Sequence, residues 1–183
     1  MKNNIMTHAL ALVGASTFLI ASNVAMAGGY SQANLPAAVQ VPAGNEVAMY
    51  TNAKGNITWE CKADQKNSGN AKWAFAGPRA ILTDAKGNQV VSYFGPPATW
   101  EALDGSAVTG KQLAVSPSAK GSIPMQLVKA NPANRDGMMS GVTYIQRINL
   151  KGGAAPATGC STDKIGHKIV VNYAGDYVFY KAK

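Results

Sequence analysis

Glycine and proline interrupt this chain so often that no long stretch after residue 28 keeps the three-to-four-residue periodicity of an amphipathic helix. What survives between the interruptions is short and strand-like. The strongest run is VTYIQRINL, residues 142–150. Val142, Tyr144, Gln146, Ile148 and Leu150 share one face of it, and Thr143, Ile145, Arg147 and Asn149 the other, the alternation of a half-buried strand. Residues 47–50 and 56–61 read as strands around a turn at Asn52-Ala53-Lys54-Gly55, and 72–75 and 79–83 as strands broken by Gly77-Pro78. Asp84-Ala85-Lys86-Gly87 is a turn leading into 89–94, a hairpin signal. Residues 111–115 and 123–129 add two more strands, and 168–173 and 177–181 flank a hairpin loop at Ala174-Gly175-Asp176. Many short strands without intervening helices predict an all-β fold, an antiparallel β-sandwich or a partly closed β-barrel in a single domain.

The N-terminus has a different composition. Lys2 is followed by an apolar stretch from about Ala9 to Ala21 and by Ala25-Met26-Ala27, the small-x-small pattern that signal peptidase cuts. The apolar run is short for a bilayer span and rich in small residues, so residues 1–27 are read as a cleaved signal peptide rather than a membrane anchor. No Cys follows at Gly28 to carry a lipid. The remaining 156 residues, 28–183, suit one β-rich domain, with the Ala-, Pro- and Gly-rich residues 28–45 as an extended lead-in. The expected location is periplasmic or extracellular, with no transmembrane segment after cleavage.

After cleavage the chain carries 16 Lys and Arg against 9 Asp and Glu, a net charge of +7, and His167 is its single histidine. The basic residues are scattered, with no run of three, which is the pattern of a solvated surface and not of a nucleic-acid stripe. Cys61 and Cys160 are the two cysteines, and in an exported chain they point to one disulfide closing a loop of about a hundred residues. There is no C-x-x-C and no Cys/His cluster, so no metal site and no cofactor are expected.

The stretch TWEALDGSAVTGK, residues 99–111, admits three readings. Gly105 to Lys111 has the spacing G-x-x-x-x-G-K of a phosphate-binding loop, but Gln112 stands where Ser or Thr would bind magnesium, and Leu113-Ala114-Val115 reads as strand where a helix is required. Glu101 and Asp104 have the residue types of a glycosidase acid/base pair, whose carboxyls must stand at defined separations with one held protonated. Asp104-Gly105 is also a strong turn dipeptide, and the hairpin reading is preferred. Trp59, Trp73 and Trp100 sit in or beside strands, where aromatics are usually core. No G-x-S-x-G elbow accompanies His167, and Asn56-Ile57-Thr58 fits a glycosylation acceptor that matters only in a eukaryotic secretory pathway.

Taken in order, these segments resemble a known family. Trp73-Ala74-Phe75, residues 78–82 and Asp84 to Gly87 precede Gly95-Pro96 and TWEALDGSAVTG; Ser122-Ile123-Pro124, Gly141-Val142-Thr143-Tyr144-Ile145-Gln146-Arg147, Gly152-Gly153, Ala155-Pro156, Cys160 and residues 173–180 follow. This order resembles the secreted family catalogued as domain of unknown function 3455, found in bacteria and fungi, over about 35–181. Two departures stand out. Met125 occupies the place where the family pattern expects Trp, and Ser92 and Tyr93 stand where it expects His shortly before Gly95, with Pro97-Ala98 as a local insertion. The resemblance implies a secreted β-rich domain and no particular reaction.

The functional expectation is an exported, non-catalytic binding or structural module of the cell envelope or extracellular space. Trp100, Glu101, Asp104 and Arg147 are its candidate ligand-binding residues, no residue is assigned as catalytic, and an envelope glycan or another envelope protein is the partner class. The rivals are a glycan hydrolase using Glu101 and Asp104 and a carrier of a small apolar ligand inside a barrel. The export reading predicts a mature protein beginning at Gly28. N-terminal sequencing of the exported protein checks this, and an intact Met1 in that fraction would overturn it.

Overall fold

A computed structural model of the chain describes residues 30–183; the signal-peptide reading of residues 1–27 lies outside them. Eight antiparallel strands follow one another in sequence: β1 (Asn45–Ala63), β2 (Ala71–Thr83), β3 (Gln89–Phe94), β4 (Thr99–Ala102), β5 (Ala107–Ser116), β6 (Met125–Ala130), β7 (Val142–Gly152) and β8 (Lys168–Ala182). Each pairs with the next, and β8 returns to pair with β1, closing a barrel. The all-β expectation holds, and of its two forms the structure is the barrel. The ring is uneven: β1 and β8 pair from Asn45 with Ala182 to Glu60 with Lys168, whereas β4 meets β5 only from Thr99 to Glu101.

Two expected turns are strand interior. Asn52-Ala53-Lys54-Gly55 lies within β1, and Ala174-Gly175-Asp176 lies within β8, directly opposite Asn52, Ala53 and Lys54. The glycines there serve close approach. A Cβ on Gly55 would collide with the Arg79 carbonyl and the Ala80 side chain of β2, and one on Gly175 would lie 2.5 Å from Leu150 Cδ2 and 3.0 Å from the Ile148 carbonyl of β7. Glycine therefore lets adjoining strands coil tightly at the seam of the barrel. Gly77-Pro78 likewise fails to break β2; Pro78 lies just beyond the last β2–β3 pair, Arg79 with Phe94, where one flank of the strand needs no N–H donor. The Asp84–Gly87 turn is as expected: Gly87 N–H donates to Asp84 O at 3.0 Å, and the Asp84 carboxylate accepts from the Lys86 and Asn88 backbones.

The faces of β7 also differ from simple alternation. Register shifts fall between Val142 and Tyr144 and between Ile148 and Lys151, with Asn149 at φ 53°. Each shift changes the phase of the alternation. Val142, Ile145 and Leu150 consequently join the barrel interior, with Ile57, Leu82, Val91, Trp100, Tyr177 and Phe179. Ile148 faces outward into a second apolar cluster with Val39, Val41, Leu127, Val178 and Tyr180. The strand is therefore buried on both sides and not on one.

The outer cluster is covered by the segment ahead of β1. That segment includes a single 3₁₀ turn, Ala37–Val39, and Tyr30 and Leu35 pack with the cluster. Gln146, which points outward, is fully buried there, and its polar atoms are satisfied: its amide donates to Val39 O at 2.6 Å and Gln32 Oε1 at 3.0 Å, and its oxygen accepts from Tyr30 and Tyr180 hydroxyls, each at 2.8 Å. A buried amide with four partners gives a specific seat for a segment that has little regular structure of its own.

At the other end of the strands, Cys61 and Cys160 form the expected disulfide, their Cα atoms 5.4 Å apart. It ties the end of β1 to the long β7–β8 loop. The same loop is fastened twice more, by Trp59 Nε1 donating to Gly153 O and Trp73 Nε1 donating to Thr158 O, both at 3.0 Å. Because the bond closes a long loop, Cys61→Ser is expected to lower stability by roughly 2–5 kcal/mol, read as the shift of a denaturant midpoint against wild type. An unchanged midpoint would show that the loop's hydrogen bonds hold it without the disulfide.

Candidate functional site

The structure separates the four candidate residues into two pairs. Thr99–Ala102 and Ala107–Ser116 do form the hairpin read from TWEALDGSAVTGK, so the G-x-x-x-x-G-K run passes from a turn straight into β5, with no helix behind it. Glu101 is exposed on β4. Asp104 is in the turn, where Gly105 at φ 79° supplies the left-handed conformation that an Asp-Gly pair provides.

Asp104 is engaged on every side. Its Oδ1 accepts from Ser106 N at 2.9 Å and from Ser106 Oγ at 2.6 Å, and its Oδ2 accepts from Met138 N at 2.7 Å. Ser106 Oγ in turn accepts from Met139 N at 3.1 Å. A side chain on Gly137 would meet Asp104 Oδ2 and Ser106 at 2.5–2.8 Å, so glycine there lets the β6–β7 loop close onto the turn. The carboxylate is thus a clasp that pins this loop to the β4–β5 turn and seats Met139 in the core.

Trp100 and Arg147 point into the barrel instead. Trp100 is 1 % exposed; it stacks on Tyr93 with ring centroids 4.7 Å apart and meets Tyr177 edge-on at 6.4 Å. Arg147 is 7 % exposed, pairs with Tyr177 across β7–β8, and stands beside the Tyr93 and Tyr177 hydroxyls. Its Nη2 donates to Pro124 O at 3.0 Å, while its Nε has no partner. Trp100 Nε1 is likewise buried without an acceptor. Tyr173 completes the group, its hydroxyl 3.0 Å from that of Tyr177.

The electrostatics of this group are one-sided. All nine Asp and Glu side chains belong to the described residues, and none lies within ion-pair distance of Arg147. The tyrosines do not supply the missing negative charge. Burial is the main cause that pushes Tyr177 and Tyr93 well up, and that pushes Tyr173 to about 12, with Arg147 opposing only in part. Their hydroxyls therefore stay protonated at neutral pH and can donate as well as accept. Arg147, Trp100 and the Tyr93, Tyr173 and Tyr177 side chains thus form one buried group drawn from β3, β4, β7 and β8. That is a donor-rich, acceptor-poor arrangement.

Sequence reasoning named Trp100 and Arg147 but missed Tyr93, Tyr173 and Tyr177. The signal was present, since 173 and 177 share a face of any uninterrupted strand. Placing a hairpin loop at 174–176 put them on different strands. Of the other two tryptophans in or beside strands, Trp59 and Trp73, the structure places both against the β7–β8 loop. Among the described residues there is no group of three or more His, Cys, Asp or Glu that could hold a metal ion.

Residues 42–181 match the model of a family described as "Protein of unknown function (DUF3455)". The chain belongs to this family. No curated protein and no solved structure matches it. Membership brings no reaction with it, so the geometry carries the functional argument. Tyr93 is in the arginine cluster, and Met125 precedes Gln126, the β6 partner of Arg147.

The clasp makes a pH prediction. Hydrogen bonds from Ser106 and Met138 hold the Asp104 carboxyl at about 2, below its ordinary 3.8. A depressed folded-state value contributes stability that is present above the unfolded value and lost as pH falls through the folded one. Melting temperatures recorded from about pH 5 down to about pH 2 should fall less steeply for Asp104→Asn than for wild type. Parallel curves would remove Asp104 from the acid response.

Proposed function

We propose that this chain is an exported, non-catalytic β-barrel module that binds a partner in the periplasm or outside the cell. The disulfide suits an oxidising compartment, and among the described residues no helix is long and apolar enough to cross a membrane. The observation that carries the binding reading is the outer face of β1, β2, β3 and β8. An open groove of about 470 Å³ lies there between Asn56, Thr58, Arg79, Phe94 and Lys168. Ile81 and Val170, on the same strands, are 50 % and 62 % exposed, and Phe94 at the groove is 38 % exposed. Exposed apolar side chains interleaved with Lys and Arg suit an envelope glycan or another envelope protein better than they suit water alone.

The two rival readings draw less support. The hydrolase needs one carboxyl kept protonated, and Asp104 is held ionised by donors that also close the fold. The apolar carrier needs free internal volume, and the interior is occupied by Trp100, Tyr177, Phe179, Ile57 and Leu82. The test joins both points. Purified protein and Glu101→Gln are incubated with cell-envelope glycan, and co-sedimentation and released sugar are both measured. Neither should release sugar, and Phe94→Ala should weaken co-sedimentation by about fivefold, the effect of one modest hot spot. Release by wild type that disappears in Glu101→Gln would replace the module with the hydrolase.

A further inference from the structure

The groove beside Phe94 and Lys168 continues along the outside of β1. A second open trough of about 550 Å³ meets it at Asn56, and a third of about 790 Å³ meets the second at Lys54 and Lys151. Together they follow the outward residues of β1 from Asn52 to Thr58, roughly 20 Å of strand. The register sets their walls. Lys54 and Lys151 flank Ala174 from the strands on either side of β8, and Asn56 stands between Asn172 of β8 and Arg79 of β2. Lys168 lies at the far end, opposite Glu60. The charges along this line are unbalanced. The ion pairs among the described residues are Lys62 with Glu60 and Lys72 with Asp64, so Lys54, Arg79, Lys151 and Lys168, all exposed, have no carboxylate partner. The two carboxylates that line the trough are committed to the fold. Asp84 accepts from the Lys86 and Asn88 backbone N–H groups, and Asp176 accepts from Tyr50, Asn52 and Asn149.

We propose that this continuous trough seats a linear acidic glycan, a sugar chain with carboxylates repeated along its length. An open trough of this length takes an extended chain and gives a small molecule no enclosure. Its cations stand at intervals, on both sides of Ala174 and onward to Arg79 and Lys168, and so face a partner whose negative charge also recurs. Between them, the side chains of Asn56 and Asn172 stand opposite one another and make no hydrogen bond among the described residues. An amide both donates and accepts, as the hydroxyls of a sugar do. Ile81 and Val170 give exposed apolar contact for the C–H faces of the rings. Other linear polyanions fit less well. Single-stranded nucleic acid is held by stacking on successive aromatic rings, and Phe94 is the one exposed aromatic lining this trough. An acidic peptide in extended form would add to an open sheet edge, and the closed ring of strands removes that edge.

This site deepens the binding-module reading, on which it rests, by naming the chemistry of the glycan and the residues that meet it. The full exported protein is titrated with polygalacturonate, dextran, poly-L-glutamate and single-stranded oligo(dT), at low and at physiological ionic strength. Polygalacturonate should bind saturably and more weakly as salt rises, because exposed charges are screened. Dextran, which is uncharged, should not bind, and the other two polyanions should bind about tenfold more weakly for want of hydroxyls opposite the amides. Lys54→Gln combined with Lys151→Gln should weaken polygalacturonate by about tenfold, the worth of two exposed charge contacts. Lys111→Gln combined with Lys120→Gln removes the same charge from exposed positions outside the trough and should leave the affinity unchanged. Asn172→Ala should weaken polygalacturonate about threefold and leave poly-L-glutamate as it was. No saturable binding of polygalacturonate, equal binding of dextran, a tighter complex with poly-L-glutamate or oligo(dT), or equal losses in the two lysine pairs overturns the site. Envelope co-sedimentation that survives such a result leaves the module reading in place. Sugar release by the wild type would overturn the module reading and leave this titration as it was, so the two failures are distinguishable.

Discussion

The closure of β8 onto β1 is the constraint on which the rest of this structure depends. These are the two longest strands, and they pair along nearly their whole common length. Without that seam the sheet would expose two long edges, each a template for pairing with another chain. Closing a ring of only eight strands demands strong coiling, and at the seam coiling demands small side chains. Ala53 and Gly55 on β1 oppose Gly175 and Tyr173 on β8, and Gly175 also clears Leu150 and the Ile148 carbonyl on β7. The space given up by these small residues is taken by large ones. Tyr173, Tyr177 and Phe179 enter the interior from the same strand that contributes Gly175.

That exchange explains why the residues were legible as types but not as places. Gly55 and Gly175 sit in polar, turn-like surroundings, and glycine reports both a turn and a close backbone approach with the same letter. Deciding between them needs the neighbouring strand, which a linear reading does not contain. Asp84 to Gly87 was readable because its determinants are local: a side chain capping its own turn and a glycine at φ 86°. The Cys61–Cys160 pair was readable because two cysteines allow one pairing. The faces of β7 were readable only between its bulges, since each phase change depends on the register with β8. The candidate site shows the same division. Arg147 stood out on its strand, but its tyrosine neighbours come from β3 and β8 and meet only when the ring closes.

The two ends of the barrel are finished by different physics. At the end carrying the β4–β5 turn, one ionised carboxylate collects the Ser106 hydroxyl and two backbone N–H groups and so locks two connections together. Charge-assisted bonds of this kind work at a wet surface because the charge stays partly solvated. At the opposite end a covalent bond and two indole N–H bonds act on the β7–β8 loop, beside backbone bonds between Cys61 and the loop's Gly166 and His167. These hold the loop without placing a negative charge near the interior. Asp64 also fastens this end, capping the β1–β2 turn and pairing with Lys72, but it does so at the exposed surface.

A buried cation kept without its counter-ion has a particular place in the energetics of such a barrel. Replacing an ionic group in a core with a well-packed apolar one is often neutral or stabilising, so a charge of this kind is not there for stability. Tyr93, Tyr173 and Tyr177 make it tolerable, because their hydroxyls bring dipoles close to the guanidinium while their rings complete the apolar packing. They also keep the region unsaturated in acceptors, since burial holds each phenol protonated and leaves it able to donate. The result is a core that is filled by shape and incomplete by charge.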